Sequence, residues 1–478
     1  MGQGAIDYIG VKGGLDINGI IEDYYVYAGE NVSAGDFVEF INGISNSKTE
    51  TSSITQLTFI SGSTTAGDET RALLLSSGKV LVIYYSQYLY GIVCTVNGTT
   101  ITYGTAKQIS TQSNGSNYYA SIKLIEVSNN KIFITYDYNA SNYCYLYGIV
   151  CNISGTTITV GTAKQLSTTR QTARSVSLEL LGNGKVFLIH SYGTAIQLYG
   201  MICTISGTSI STGTDTALAT TSYTGGANSS VLLPSGNIFI AHVYGSDGYL
   251  YGMVCTISGT TITKGTDTQI ETTVNAGSYI STSLLENGNV FVAHSYSNDY
   301  HLYGIVCTIS EMTITKGTDT ALYKYKYSGQ EGISIASIPN NKVVVLHSSG
   351  YTTANNSYYQ YYVICSIAET VITKGTNTVL DSSKAYNGQG GSILTLSNGT
   401  IFVAHSHYDS SYGFNTYAQI YGVNDTTNLL TNRVVLTEYE TQVRPATSLP
   451  CVGVAKSSGE GGNSTAHKDV VSVYVNEV

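Results

Sequence analysis

The sequence predicts an all-β chain: a seven-bladed β-propeller of four-stranded blades plus a small β-domain formed by both termini. Three observations predict it. The segment Leu89-Tyr90-Gly91-Ile92-Val93-Cys94 returns along the chain at a period near fifty residues. Each period holds four alternating, β-branched and aromatic segments separated by Asn-Gly or Ser-Gly pairs, which supply the positive φ of tight hairpins. No window carries a helical period.

The repeat comes first because everything else is read against it. Copies of the motif stand at 146–151, 198–203, 250–255 and 302–307, with weaker echoes at 360–365 and 420–423. The glycine-equivalent positions of the motif are 91, 148, 200, 252, 304, 362 (a tyrosine) and 422, giving steps of 57, 52, 52, 52, 58 and 60 residues. Residues 249–296 hold four strands, at 279–285, 289–296, 249–257 and 260–270, counted first to fourth in the blade. The second strand, Val290-Phe291-Val292-Ala293-His294, is apolar on both faces, as a sheet sandwiched between like sheets must be. Seven such sheets around an axis make a propeller. An open solenoid does not fit, because four strands are too many for one coil. Kelch, WD and Asp-box signatures are absent, and there is no Trp.

Closure of the ring is expected from residues 54–60, which keep the spacing of a fourth strand and would complete the last blade, since no good fourth strand follows 420–423. The chain would then enter and leave the ring at the face of the tight hairpins. The propeller is placed at 51–424, and 1–50 with 425–478 form the discontinuous small domain.

Composition narrows the function. Only 11% of the 478 residues are charged, against about a quarter in ordinary soluble proteins. The net charge of −9, without a basic block, argues against a nucleic-acid partner. No apolar run approaches the roughly 20 residues of a membrane helix, and the first residues carry no secretory signal pattern. Six of the eight cysteines share one repeat position. Sheets pack about 10 Å apart, while disulfide-linked Cα atoms lie within roughly 7 Å. These cysteines therefore read as small buried hydrophobes. Cys144 and Cys451 fall outside the series.

The face opposite the tight hairpins is where the units differ. Its loops are rich in Tyr, Ser, Gly, Asn and Asp, the composition of adaptable binding loops with rigid aromatic area. The expected ligand-binding residues are Tyr192, Tyr244, Asp247, Tyr249, Tyr296, Asp299, Tyr300, Tyr408, Asp409 and Tyr412. Five histidines, His190, His242, His294, His347 and His405, share one repeat position, with Tyr84 and Tyr136 in the first two units. Ring symmetry spreads them over separate blades, so they read as strand-end hydrogen-bonding groups and not as metal ligands. A glycosidase needs two carboxylates about 5–10 Å apart. The candidates Asp137, Asp247, Asp299 and Asp409 read as residues of exposed loops in different blades, and the propeller holds only Arg71, Arg170 and Arg174. No catalytic residue, cofactor or metal site is expected, although Asp247-Gly248 would offer oxygen ligands to calcium.

The ends carry a resemblance. Ala28-Gly29, then Val32, Ala34-Gly35-Asp36 and Val38, with Gly453-Val454-Ala455-Lys456, a Gly-rich turn and Val471-Ser472-Val473-Tyr474-Val475, resemble the small β-domain of tailed-bacteriophage virion surface proteins, among them capsid decoration and head-fibre proteins. The resemblance covers about 90 residues and leaves out the propeller. It implies synthesis in the host cytoplasm, a place on the virion surface, attachment to capsid or other virion proteins through the small domain, and outward display of the insert. A homo-oligomer is expected. The resulting expectation is a non-enzymatic structural protein whose propeller meets host-surface glycans. The alternatives are a tail-fibre or baseplate receptor-binding protein and a propeller carbohydrate-active hydrolase.

Overall fold

A computed structural model gives the architecture. It describes residues 23–28, 37–51, 433–445, 453–455 and 470–475 of the ends. Within 53–431 it describes all but 54, 58–69, 87, 112–121, 141–142, 168–175, 193–196, 220–226, 245–248, 272–275, 297–300, 325–331, 353–356, 381–390, 410–412 and 425–426. The described residues contain strands and turns but no helix, hence none able to cross a membrane. The chain divides into two units, residues 1–50 with 435–478, and residues 51–434.

The larger unit is the seven-bladed propeller. Blade 4 shows the plan: Asn228–Leu232, Ile238–Tyr244, Tyr249–Ser258 and Thr261–Lys264 pair in that order, each antiparallel to the next. The first strands of successive blades pack on one another around the ring, and that of blade 7 (Ser392–Thr395) packs on that of blade 1 (Thr70–Leu74), so the ring is closed. The Ala72 N–H donates to Ser392 Oγ at 2.9 Å across this last junction.

The sandwich follows from the second strands. Val290, Phe291, Val292 and Ala293 are all fully buried, and alternate residues enter the cores shared with the blades on either side. The motif glycine makes room for this packing. A Cβ on Gly252 would lie 3.1 Å from the ring of Phe239 and 3.1 Å from Ile314 of the next blade. Blade 6 inverts the arrangement, with Val344 on the second strand and the bulky Tyr362 in the glycine position.

The fourth strand differs from expectation. It is not continuous but breaks into two pieces, in blade 4 Thr261–Lys264 and Thr268–Gln269, both paired to the third strand. The break falls at Gly265-Thr266-Asp267. Gly265 N donates to Val254 O at 2.9 Å, and a Cβ on Gly265 would come within 2.5 Å of that oxygen, so only glycine sits here without displacement.

Blade 7 departs further. Its motif glycine is not at 422. The register sets Ala404 opposite Ala418 as it sets Ala241 opposite Gly252, so the seventh copy of the motif is 416–421. A fourth strand does follow: Leu429–Thr431 pairs with Val423 and its neighbours and supplies the first piece. The second piece is Thr55–Gln56, opposite Ala418 and Tyr417, with Leu57 N donating to Thr416 O at 2.9 Å. The expected 54–60 strand is therefore half of the closure, and its residues 54 and 58–60 lie outside the described residues. The chain joins and leaves the ring at the break in the outer strand, not at the hairpin face.

In the smaller unit the two ends form one closed barrel, in the order Asp23–Ala28, Arg433–Pro445, Phe37–Thr51, Gly453–Ala455 and Val470–Val475. Asp23–Ala28 runs antiparallel to Val470–Val475, with Asp23 opposite Tyr474, and parallel to Arg433–Pro445, with Tyr27 opposite Gln442.

Candidate functional site

The two faces of the ring obey different rules. On one face, the hairpin between third and fourth strands is tight in six blades. Its paired residues, such as Ser258 and Thr261, stand three apart. The positive φ this turn requires is met by Gly98, Gly155, Gly207 and Gly259, and by Glu311 and Glu369 in blades 5 and 6. On the other face, the hairpin between second and third strands varies. Its equivalent paired residues are six apart in blade 1 (Tyr84 and Tyr90) and fourteen apart in blade 6 (His347 and Tyr361). Repetition constrains the first face and releases the second.

In blades 3 to 6 the variable lip is built on one repeated foot. His190, His242, His294 and His347 are fully buried or nearly so. Their Nε2 atoms lie 2.9, 2.8, 3.0 and 3.0 Å from Asp215, Asp267, Asp319 and Asn377. Each ring also stacks on the third-strand tyrosine opposite, with centroids 6.2, 6.3, 5.8 and 5.8 Å apart at Tyr199, Tyr251, Tyr303 and Tyr361. Burial lowers the pKa of His347 to about 4, with the bond that its Nε2 donates to Asn377 Oδ1 working the other way. The Asp and Asn partners were missed in the sequence. Their signal is present there: Gly-Thr-Asp or Gly-Thr-Asn ends twelve residues after the motif cysteine in blades 3 to 6. In blades 1 and 2 the histidine becomes Tyr84 and Tyr136, and the aspartate becomes Ala106 and Ala163. The break in the fourth strand thus places a partner where the second strand has a histidine.

The expected binding residues distribute as follows. Tyr192, Tyr244, Tyr296, Tyr408 and Asp409 end second strands at the variable lip. Tyr249 begins the third strand of blade 4, is half-buried, and stands directly opposite Tyr244. Tyr408 pairs with Phe414 and Asp409 with Gly413. Asp247, Asp299, Tyr300 and Tyr412 lie outside the described residues. Tyr138 belongs with this set and was not singled out: it holds the place of Tyr192, Tyr244 and Tyr296 in blade 2, is half-buried, and sets its ring edge-on to Tyr147 at 5.8 Å. Asp137 is corrected. It is a buried second-strand residue opposite Leu146, not an exposed loop carboxylate, and its backbone oxygen accepts from the Tyr85 hydroxyl at 3.3 Å.

One carboxyl near the axis is strongly perturbed. Burial raises the pKa of Glu179, on the first strand of blade 3, to about 7, against bonds from Ser230 Oγ at 2.7 Å and Leu232 N at 3.0 Å and the nearby charge of Lys123. The six motif cysteines, Cys94, Cys151, Cys203, Cys255, Cys307 and Cys365, are buried and unbridged, and burial pushes their thiols up to about 12. Among the described residues no group of three metal-ligating side chains converges.

No protein-family model matches the chain, and no curated protein matches it. Solved structures do. The chain is similar to the NanB sialidase of Streptococcus pneumoniae (15% identity, covering 76% of this chain and 70% of that one, TM-score 0.42). It is also similar to a family PL25 ulvan lyase (11% identity, 80% and 98%, TM-score 0.47) and to a protein from Lactobacillus plantarum (11% identity, 75% and 95%, TM-score 0.49). At these identities the likeness concerns the fold. It nevertheless corrects one expectation: two of these three are carbohydrate-active enzymes, so the exclusion of catalysis read from the sequence is withdrawn.

Proposed function

We propose that the propeller is a carbohydrate-recognition module whose ligand meets the variable lip, and that the terminal barrel carries it on a virion surface. The observation that supports recognition is the asymmetry of the faces. A ring built only to be stable would repeat its loops, as the tight-hairpin face does. The other face instead varies hairpin length, and its second strands reach a tyrosine there in blades 2 to 5. Tyrosine offers rigid apolar area for sugar C–H faces and a hydroxyl for sugar oxygens, at low cost in side-chain entropy. Display in many copies would multiply weak single contacts. The virion reading is supported by the resemblance of the end segments and by their joining in a single barrel.

A glycan array probed with the full chain tests recognition. Binding to one class of glycan, weakened by Tyr249→Ala, is expected. An array without signal overturns it. The same bound glycan is then followed for release of new ends: release that is lost in Asp247→Asn, Asp299→Asn or Asp409→Asn makes the propeller a carbohydrate-active hydrolase. Peptides of this chain in purified phage particles test the virion placement, and their absence from particles of a phage encoding it overturns that placement.

A further inference from the structure

We infer that the lips of blades 2 to 5 form one continuous track for a neutral, linear polysaccharide. The inference rests on the carbohydrate reading above and goes beyond it to the ligand's class and path. Two residues past the buried His or Tyr of the second strand, four consecutive blades place a tyrosine: Tyr138, Tyr192, Tyr244 and Tyr296. The other three blades place Ser86, Ser349 and His407 there. The scaffold therefore does not require an aromatic residue at this position, because three blades fold without one. Across the hairpin, the backbone register sets Tyr138, Tyr192 and Tyr244 opposite Tyr145, Gln197 and Tyr249, so in blades 2 to 4 the position opposite the tyrosine also holds a residue with a hydrogen-bonding side chain.

Spacing and charge choose the ligand. Blades 2 to 5 are successive neighbours in the ring, and packed sheets stand about 10 Å apart, wider towards the rim. One tyrosine per blade then suits alternate units of an extended sugar chain. A terminal sugar would need several groups gathered at one point; here one group type recurs along an arc. The lip positions named hold Tyr, Gln, Ser and His but neither Lys nor Arg, and the chain's net charge is −9, which disfavours a polyanion.

Oligosaccharide ladders of one to ten units from dextran, mannan and β-glucan, with oligogalacturonate as the anionic comparison, test this by calorimetry on the full chain. Affinity for one neutral ladder should climb with length to a plateau at about seven units, the span of four tyrosines on alternate units. Tyr192→Ala, Tyr244→Ala and Tyr296→Ala should each lower it about threefold to tenfold for long oligomers and leave the monosaccharide unchanged. Tyr88→Ala and Tyr103→Ala, on blade 1, should change nothing; an unaltered melting temperature shows that each variant is folded. Binding that is independent of length, equal loss in the blade 1 variants, or preference for oligogalacturonate overturns the track while leaving carbohydrate recognition in place. Absence of binding to every ladder and to the glycan array overturns both.

Discussion

Replacing Asp267 in blade 4 tests the histidine foot most sharply, because the chain contains its own control. Asp267→Ala removes the 2.8 Å contact to His242 Nε2 and leaves a ring that is 1% exposed. A bond to a charged group contributes roughly 1.5–3 kcal/mol. The Asp267 side chain is 23% exposed, so water already competes and the lower end, about 1.5 kcal/mol, is the expected loss. His242→Tyr alone drives a phenol hydroxyl into the space of the carboxylate, an overpacking worth about 1–3 kcal/mol. The double variant recreates the Tyr and Ala combination of blades 1 and 2, where Tyr84 lies opposite Tyr90 and stacks on it at 5.9 Å. It should recover about 2 kcal/mol relative to the sum of the single losses, well above the ~0.5 kcal/mol scatter of independent sites. Urea midpoints give the cycle, and hydrogen exchange of blade 4 amides checks that the loss is local, since a chain this long need not unfold in one step. Additive losses would refute the idea that the two positions form a unit.

Four further outcomes are expected. Tyr362→Phe removes a hydroxyl that accepts from Leu430 N at 3.1 Å and donates to Leu430 O at 3.3 Å, so blade 7 amides should exchange faster and stability fall by about 1–3 kcal/mol. Gly252→Ala sets a methyl 3.1 Å from Phe239 and from Ile314 and should cost about 1–3 kcal/mol, read as a lower melting temperature. Glu179 has a pKa raised in the folded chain, so its contribution is complete below about 4.5 and is lost as pH rises to about 7; Glu179→Gln should flatten the dependence of the melting temperature over that window. The motif thiols, raised to about 12 from an unfolded value near 9, should resist iodoacetamide at pH 8.5 until urea unfolds the ring, as counted by mass spectrometry.

Local pattern made the blade legible. Asn287-Gly288 and Ser258-Gly259 announce their hairpins, and Val290–Ala293 announces burial on both faces, because each signal needs only neighbours in sequence. Asp267 was hidden because its partner is 25 residues away, on a strand it does not pair with; only comparison of Gly-Thr-Asp with Gly-Thr-Ala across the blades exposes the link. The seventh copy of the motif was misplaced by four residues because Ala418 replaces the glycine while Gly422 offers a false match, and cross-strand register decides between them. Asp137 read as a loop residue because the second strand of blade 2 runs on to Ala140. The binding lip was legible as composition but not as geometry: Tyr192, Tyr244 and Tyr296 gain meaning only when Tyr138 is seen in the same register.

The divided outer strand of blade 7 makes the propeller a detachable cassette. In blade 4 only Gly265, Thr266 and Asp267 lie between the two pieces of that strand, whereas in blade 7 Thr431 and Thr55, which match Thr263 and Thr268 in register, are far apart in sequence. A four-residue bridge from Thr431 to Thr55, one residue in the place of Lys264 followed by Gly-Thr-Asp, with new ends opened in a tight hairpin of another blade, would rewrite the ring as a permuted chain free of its carrier. Read from the other side, Thr431 and Thr55 are a graft point at which a different ring could be spliced into the same barrel.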